Sequence, residues 1–228
     1  MITLDKPNAK LMEAVHKSVA AIPKTLAEKV APGHTAILVI DVQNDFCHSE
    51  GVQGKRGLAT AHAKEMVPRL SQFLDGAREC GVLIIFVRTL HTEWSASPVS
   101  MEPQMQFPED LRLLCVESTW GAEFYEVTPR NGEVVVTKYR YNSFQGTDLE
   151  LILRCKGIRT VILTGVATPV CVESTGRDAY MKEFFVVLNK DCVAARSLEE
   201  HNSAISNVSK YFGVVATSKE IISAWKET

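Results

Sequence analysis

The chain has 228 residues, 46% of them hydrophobic and 23% charged, an ordinary globular balance with ample apolar material for a core. Its formal charge of -2 provides no basic field for nucleic acid and no polybasic segment for a membrane surface. No apolar run approaches the roughly 20 residues that a bilayer span requires.

The first ten residues are polar, without the apolar centre of a signal peptide, and acidic residues precede the first arginine, Arg56, which argues against a transit peptide. The six cysteines are Cys47, Cys80, Cys115, Cys155, Cys171 and Cys192, and none forms a C-x-x-C pair. Zinc-knuckle and thioredoxin-type motifs are therefore absent, and scattered single thiols fit a reducing cytoplasm.

In chain order, residues 8–30 read as one amphipathic helix. Leu11, Met12, Val15, Val19, Ile22 and Leu26 recur at helical spacing, and Ala31-Pro-Gly-His ends the run. Strands and helices then alternate. Strands are expected at 36–42, 82–88, 133–138, 160–166, 184–189 and 214–216. Helices are expected at 60–80, 147–157, 169–182, 198–212 and 218–226. The strands are almost continuously apolar, as in a parallel sheet covered on both faces. The pattern predicts a doubly wound α/β fold with a mainly parallel six-stranded sheet, preceded by a helical arm over 1–33, with 34–228 as one domain. Residues 89–132 lack periodicity. They are expected to cross the active face or to form an oligomer contact.

Ligands of such sheets bind outside the carboxyl ends of the strands. Three residues there are chemically odd. Asp41 lies in an apolar strand, Lys138 closes VVVT, and Cys171 follows TVILTGV at the start of a helix. Thr168 is suited to cap that helix and Pro169 to its first position, so Cys171 would sit among free backbone N–H groups. These amides favour a thiolate and would hold an oxyanion. Taken separately, a buried structural Cys, a turn-capping Asp and a snorkelling Lys remain open readings. Converging, the three have the logic of an activated nucleophile. Weaker features are Gly51, Gly54 and Gly57, read as a flexible loop over the site; a Cys47–His48 pair inside that loop; and His91, read as pocket wall rather than metal ligand.

The segments AILVIDVQNDFC, STWGAEFY, VVVTKYRYNSF and LTGVATPVCVESTGRDAY, in this order, resemble those of the isochorismatase-like cysteine hydrolases over about residues 34–217. Lys-x-Arg-Tyr-x-x-Phe at 138–144 and Cys-Val-Glu-Ser-Thr at 171–175 are most similar to the ureidoacrylate and N-carbamoyl amidohydrolases. The resemblance implies a catalytic triad of Asp41, Lys138 and Cys171. It also implies a cis peptide at Val166–Ala167 that aims the Ala167 N–H at an oxyanion beside that of Cys171. The family usually has Asn or Asp where this chain has Pro169, and its nicotinamidases carry an Asp/His metal cluster that is missing after the second strand. No metal or other cofactor is therefore expected. The cysteine argues against isochorismatase proper, whose vinyl-ether chemistry needs no thiol.

The implied activity is hydrolysis of a C–N bond in a small linear amide or ureide, with release of ammonia through a thioester or thiocarbamate on Cys171. Expected substrate contacts are Gln43, Asn44, Phe46, Trp94, Trp120, Arg140, Tyr141, Phe144 and Glu173. Glu173 is also placed to orient Lys138. A nucleophilic thiol is expected to titrate well below about 8.5. The competing readings are a nicotinamidase-like hydrolase of ring amides and a non-catalytic scaffold. A homo-oligomer, dimer or tetramer, is expected from the arm, with a small molecule as the other partner.

Overall fold

The computed structural model describes residues 8–58 and 60–227. The chain opens with α1 (Ala9–Ala20) and α2 (Leu26–Lys29), followed by β1 (Thr35–Ile40), α3 (Asn44–Cys47), α4 (Val52–Lys55), α5 (Ala61–Glu79) and β2 (Leu83–Thr89). It continues through α6 (Pro98–Met101), β3 (Val134–Lys138), α7 (Leu149–Cys155), β4 (Thr160–Val166) and α8 (Glu173–Met181). The remainder is β5 (Phe185–Ala194), α9 (Leu198–Asn207), β6 (Gly213–Ala216) and α10 (Ser218–Lys226).

All six strands pair in parallel in the order β3-β2-β1-β4-β5-β6. The doubly wound α/β fold is as expected. Alternate residues of the central strands divide between two cores. Ile37, Val39, Phe86 and Ile162 pack against Leu70, Phe73 and Leu74 of α5 and Ile221 and Trp225 of α10. Leu38, Ile85, Val87 and Leu163 pack against Leu149 and Leu153 of α7 and Val172 and Ala179 beside and within α8. The period of two along each strand serves both layers at once, which is why both faces had to be apolar.

The N-terminal reading needs correction. The expected helix over 8–30 breaks after α1. Pro23 has no N–H and holds Ile22 away from helical angles. A capping box between Thr25 and Glu28 then starts α2 afresh. The apolar stripe of α1 is solvent-exposed, and none of its residues is buried. Residues 1–7 of the expected arm lie outside the described residues.

The chain order reverses between β1 and β4, and this switch point is where a cleft opens at the carboxyl edge. The 89–132 excursion carries a single four-residue helix, α6, and a few 3-10 turns, and it forms one wall of that cleft. Two isolated bridges stitch it down, Gln43 to Phe124 and His91 to Val116.

Candidate active site

Ile40, the last residue of β1, pairs with Gly165 of β4, and Thr89 at the end of β2 pairs with Lys138 at the end of β3. This register brings four side chains together at one edge. The chain leaves β1 through Asp41 with a φ of 53°, so Asp41 follows the strand instead of lying within it. Gly165 has a φ of 101°, and a Cβ there would sit 2.0 Å from the Ile40 carbonyl oxygen. Only glycine permits β1 and β4 to approach so closely at this point.

Asp41 and Lys138 are both wholly buried, with Lys138 Nζ 2.8 Å from Asp41 Oδ2. The angles fall outside hydrogen-bond geometry, so Oδ2 is held by the ion pair alone and accepts no well-formed hydrogen bond. Lys138 directs well-aligned hydrogen bonds elsewhere, to Thr89 Oγ1 at 2.6 Å and to the Arg140 carbonyl at 3.1 Å. Thr89 Oγ1 in turn donates to Asp41 Oδ1 at 2.9 Å. Burial opposes the charge on Lys138, but Asp41 and Cys171 together outweigh it and hold the ammonium above its ordinary pKa.

Cys171 lies in a π-helical turn, Thr168–Val172, that leads into α8. The Val166–Ala167 peptide bond before this turn is cis. The N–H groups of Val170 and Val172 both donate to the Ala167 carbonyl. Thr168 does not cap the turn as the sequence suggested; its hydroxyl meets His201 Nδ1 at 3.2 Å.

Cys171 is electrostatically coupled to both Asp41 and Lys138. Burial pushes its thiol up to about 12, Lys138 pulls it back, and the Asp41 charge adds to the rise. The expectation of a depressed thiol is therefore corrected. Desolvation outweighs the cation, so the thiol needs the neighbouring carboxylate to take its proton.

Above this trio lies a cleft of about 710 Å³. Cys171, Val166 and Ala167 line it, together with Phe46, Arg140 and Tyr141 among the expected contact residues. The other expected contacts lie elsewhere. The Gln43 amide is fully engaged, accepting from the Thr89 N–H and donating to the Thr89 and Ala122 carbonyls. Asn44 donates to the Trp120 carbonyl, which fastens α3 to the excursion. Trp94 packs edge-on against Tyr139 at 4.3 Å, and Trp120 sits against His48, both largely in solvent. Phe144 is core, stacked on Phe184. Glu173 pairs with Arg177 at 2.6 Å and accepts from Asn207, so it does not orient Lys138. Each of these is a polar or aromatic residue near a strand end whose partner comes from a distant segment, and spacing alone does not identify such partners.

The Gly51–Gly57 loop is not slack. It forms α4, and a Cβ on Gly54 would lie 1.9 Å from the Ser49 carbonyl, so that glycine serves close packing. Cys47 is buried and pushed up to about 12, mainly by desolvation, while His48 Nδ1 accepts from the Glu50 N–H, so the two do not act as a dyad. His91 lines the cleft as expected, with Nδ1 2.5 Å from the Leu114 carbonyl; burial keeps its imidazole below the usual pKa. Sequence reasoning missed Thr89, and also Arg56 and Arg196 on the cleft wall. Burial, and then the nearby Arg196, lower Arg56 to about 10. Among the described residues, no group of three or more His, Cys, Asp or Glu side chains is placed to hold a metal ion.

The fold is that of a doubly wound α/β enzyme, with a buried thiol beneath a cleft at the sheet's switch point. A model of the Isochorismatase domain matches residues 35–220, and the chain belongs to the isochorismatase family. It is similar to the ureidoacrylate amidohydrolase RutB of Rhizobium rhizogenes, with 33% identity over 199 residues, covering 82% of this chain and 81% of that protein. A cysteine hydrolase from Pseudomonas syringae superposes with a TM-score of 0.77 at 25% identity, covering 87% of this chain and 95% of that one. The nicotinamidase PncA of Bacillus subtilis superposes with a TM-score of 0.68 at 27% identity, covering 81% of this chain and 99% of that one.

Proposed function

We propose that this protein is a metal-independent cysteine amidohydrolase that cleaves a C–N bond of a small linear amide or ureide, in the manner of the ureidoacrylate amidohydrolases it resembles. The observation that carries the reading is the buried Asp41–Lys138 ion pair at the floor of the cleft, whose carboxylate interacts with the Cys171 thiol and whose Oδ2 accepts no well-formed hydrogen bond.

In this reading Asp41 takes the proton of Cys171 as the sulfur attacks the carbonyl carbon. The carbonyl oxygen becomes an oxyanion, held by the N–H groups of Ala167 and Cys171. The tetrahedral adduct collapses, the C–N bond breaks, and Asp41 returns its proton to the departing nitrogen. That leaves an acyl or carbamoyl group on sulfur. Water then gives a proton to Asp41 and attacks the same carbon; the C–S bond breaks and the sulfur recovers the proton. Lys138 steadies the carboxylate of Asp41 and the charge that develops in both halves. The high resting pKa of the thiol explains why a base is required within reach.

Ring-amide hydrolysis of the nicotinamidase kind fits less well. The segment after β2 supplies His91 and Glu93 without the additional ligands a metal cluster needs. A silent scaffold would have no use for a buried Lys–Asp pair beneath an open cleft. The protein acts in the cytoplasm, and copies of it associate through the exposed stripe of α1; the rest of the expected arm over 1–33 does not stand apart, since Leu26, Ala27 and Val30 pack into the domain core and the Val30 carbonyl accepts from Trp225.

The test is ammonia release by chelator-treated protein from ureidoacrylate-like ureides, N-carbamoyl amino acids, biuret, nicotinamide and aliphatic amides. Release from a linear compound that disappears in Cys171→Ala supports the reading. Turnover that survives in Cys171→Ala, or that needs added divalent metal, overturns it.

A further inference from the structure

Lys138 and Asp41 are joined twice, once directly and once through Thr89. The ammonium donates to Thr89 Oγ1 at 2.6 Å. An ammonium accepts nothing, so the hydroxyl proton must point away from it. It points to Asp41 Oδ1, 2.9 Å distant. The direction of this chain of hydrogen bonds is therefore fixed by chemistry: Lys138 to Thr89 to Asp41. Oδ1 is occupied by that donor, while Oδ2 faces the ammonium at 2.8 Å without accepting a well-formed hydrogen bond.

The main chain of Thr89 is held just as firmly. Gln43 accepts its N–H at 2.8 Å and donates to its carbonyl at 2.9 Å, and the same amide nitrogen donates to the Ala122 carbonyl at 2.8 Å. Gln43, two residues after Asp41, thus fixes the end of β2 against the residue that carries the base. Thr89 is buried at the edge of the cleft and cannot exchange this bond for one to bulk water.

We infer that Thr89 is a positioning residue whose hydroxyl, oriented by Lys138 and held in place by Gln43, occupies Asp41 Oδ1 so that Oδ2 alone receives the Cys171 proton. The inference rests on Cys171 being the nucleophile. No covalent step is added to that mechanism; the hydroxyl decides which oxygen is the base. The titratable groups around Asp41 are Lys138 on β3, Cys171 in the turn after β4, Cys47 on α3 and Cys115 in the excursion. Of these only Lys138 is a cation, and it is already engaged. Removing the hydroxyl takes a hydrogen bond from the ionised form of the carboxylate and leaves Oδ1 free to compete with Oδ2 for the thiol proton.

The test needs no knowledge of the substrate. Iodoacetamide alkylation of Cys171, quantified by peptide mass, is followed from pH 5 to 9 in wild type, Thr89→Val and Thr89→Ser, with folding checked by circular dichroism. In Thr89→Val the rate at neutral pH is expected to fall roughly tenfold, the worth of a hydrogen bond to a charged group. Its acid limb should move to higher pH. Thr89→Ser should return both toward wild type, because it restores the hydroxyl without the methyl. Should Thr89→Val fail to fold, Thr89→Ala beside Thr89→Ser repeats the comparison. A hydroxyl-free variant with wild-type rate and limb overturns the inference, as does equal loss in the Ser variant, which would assign the role to methyl packing. Wild-type Cys171 that stays unlabelled while the exposed Cys155 reacts would overturn the nucleophile reading itself, and this inference with it.

Discussion

Lys138 reaches Asp41 from two strands away, across the end of β2, and the two charges meet 2.8 Å apart with no exposure to solvent. Such a pair is not a stabilising device by default. The desolvation of both ions cancels much of their attraction, and replacement by apolar residues is often neutral or better. Its persistence at the floor of a cleft is better explained by what it does for Cys171.

That argument predicts a dissociation of stability from activity. Lys138→Met leaves Asp41 buried and unpaired, at a cost of about 3–5 kcal/mol. Asp41→Asn with Lys138→Met should recover most of that loss, because no charge remains. Neither variant should turn over substrate. Urea unfolding of the single and double variants checks the first point and ammonia release the second. A double variant as unstable as the single one would mean that the pair contributes through packing.

The buried thiols set an alkaline limit. Cys47, Cys115, Cys171 and Cys192 are all held above the ordinary thiol range, mainly by desolvation, and Cys47 and Cys171 reach about 12. A thiol that stays protonated in the fold and ionises near 8.5 when unfolded contributes stability in full below that pH and loses it as pH climbs toward its folded value. Between about pH 9 and 12 the native state therefore holds more protons, and stability should fall by about 1.4 kcal/mol per pH unit for each such thiol. The urea midpoint under reducing conditions should decline from pH 9 upward, and less steeply in Cys47→Ala. Parallel slopes for the two proteins would remove Cys47 from the account.

Much of the fold was legible because it rests on local pattern. TVILTGV occupies β4 residue for residue, and α10 matches its expected span, since apolar runs and capping residues are short-range signals. The convergence of Asp41, Lys138 and Cys171 was legible too, as polar residues at the ends of apolar strands. What escaped depended on long-range contacts. Gln43, Asn44 and Glu173 look like substrate contacts in a linear reading, yet each is engaged by a segment far along the chain. The thiol's rise was missed for the same reason, because burial is a property of the assembled cleft and outweighs the charges that sequence proximity suggests. Thr89 left one faint trace, a hydroxyl closing an apolar strand, directly paired in register with Lys138.

Gly165 tests how tightly β1 and β4 must close. At a φ of 101°, with a would-be Cβ 2.0 Å from the Ile40 carbonyl, Gly165→Ala meets rigid backbone on both counts. A loss on the order of 3 kcal/mol or more is expected, with little soluble protein at 37 °C. A Tm within a few degrees of wild type would show that the two strand ends separate without cost.

Asp45 offers a separation of binding from chemistry. Its carboxylate accepts the Val52 N–H at 3.0 Å and the Cys115 N–H at 2.6 Å, tying the start of α4 to the excursion behind the cleft wall. Gly121 packs against it so closely that a Cβ would lie 2.2 Å from Oδ2. Arg56, at the end of α4, lies over the Phe107 ring at 3.9 Å and donates to Gln104 and to the Arg112 carbonyl, so α4 and the excursion make up one continuous wall of the cleft beside this tie. Asp45→Ala strands two backbone donors, at about 1–3 kcal/mol each if they remain buried. The floor of the site is held by other bonds, those joining Asp41, Thr89 and Lys138. The expected result is therefore a KM raised about tenfold or more with kcat lowered much less, measured on the best ureide of the panel. An equal fall in kcat with unchanged KM would mean that Asp45 supports the reacting groups rather than the wall.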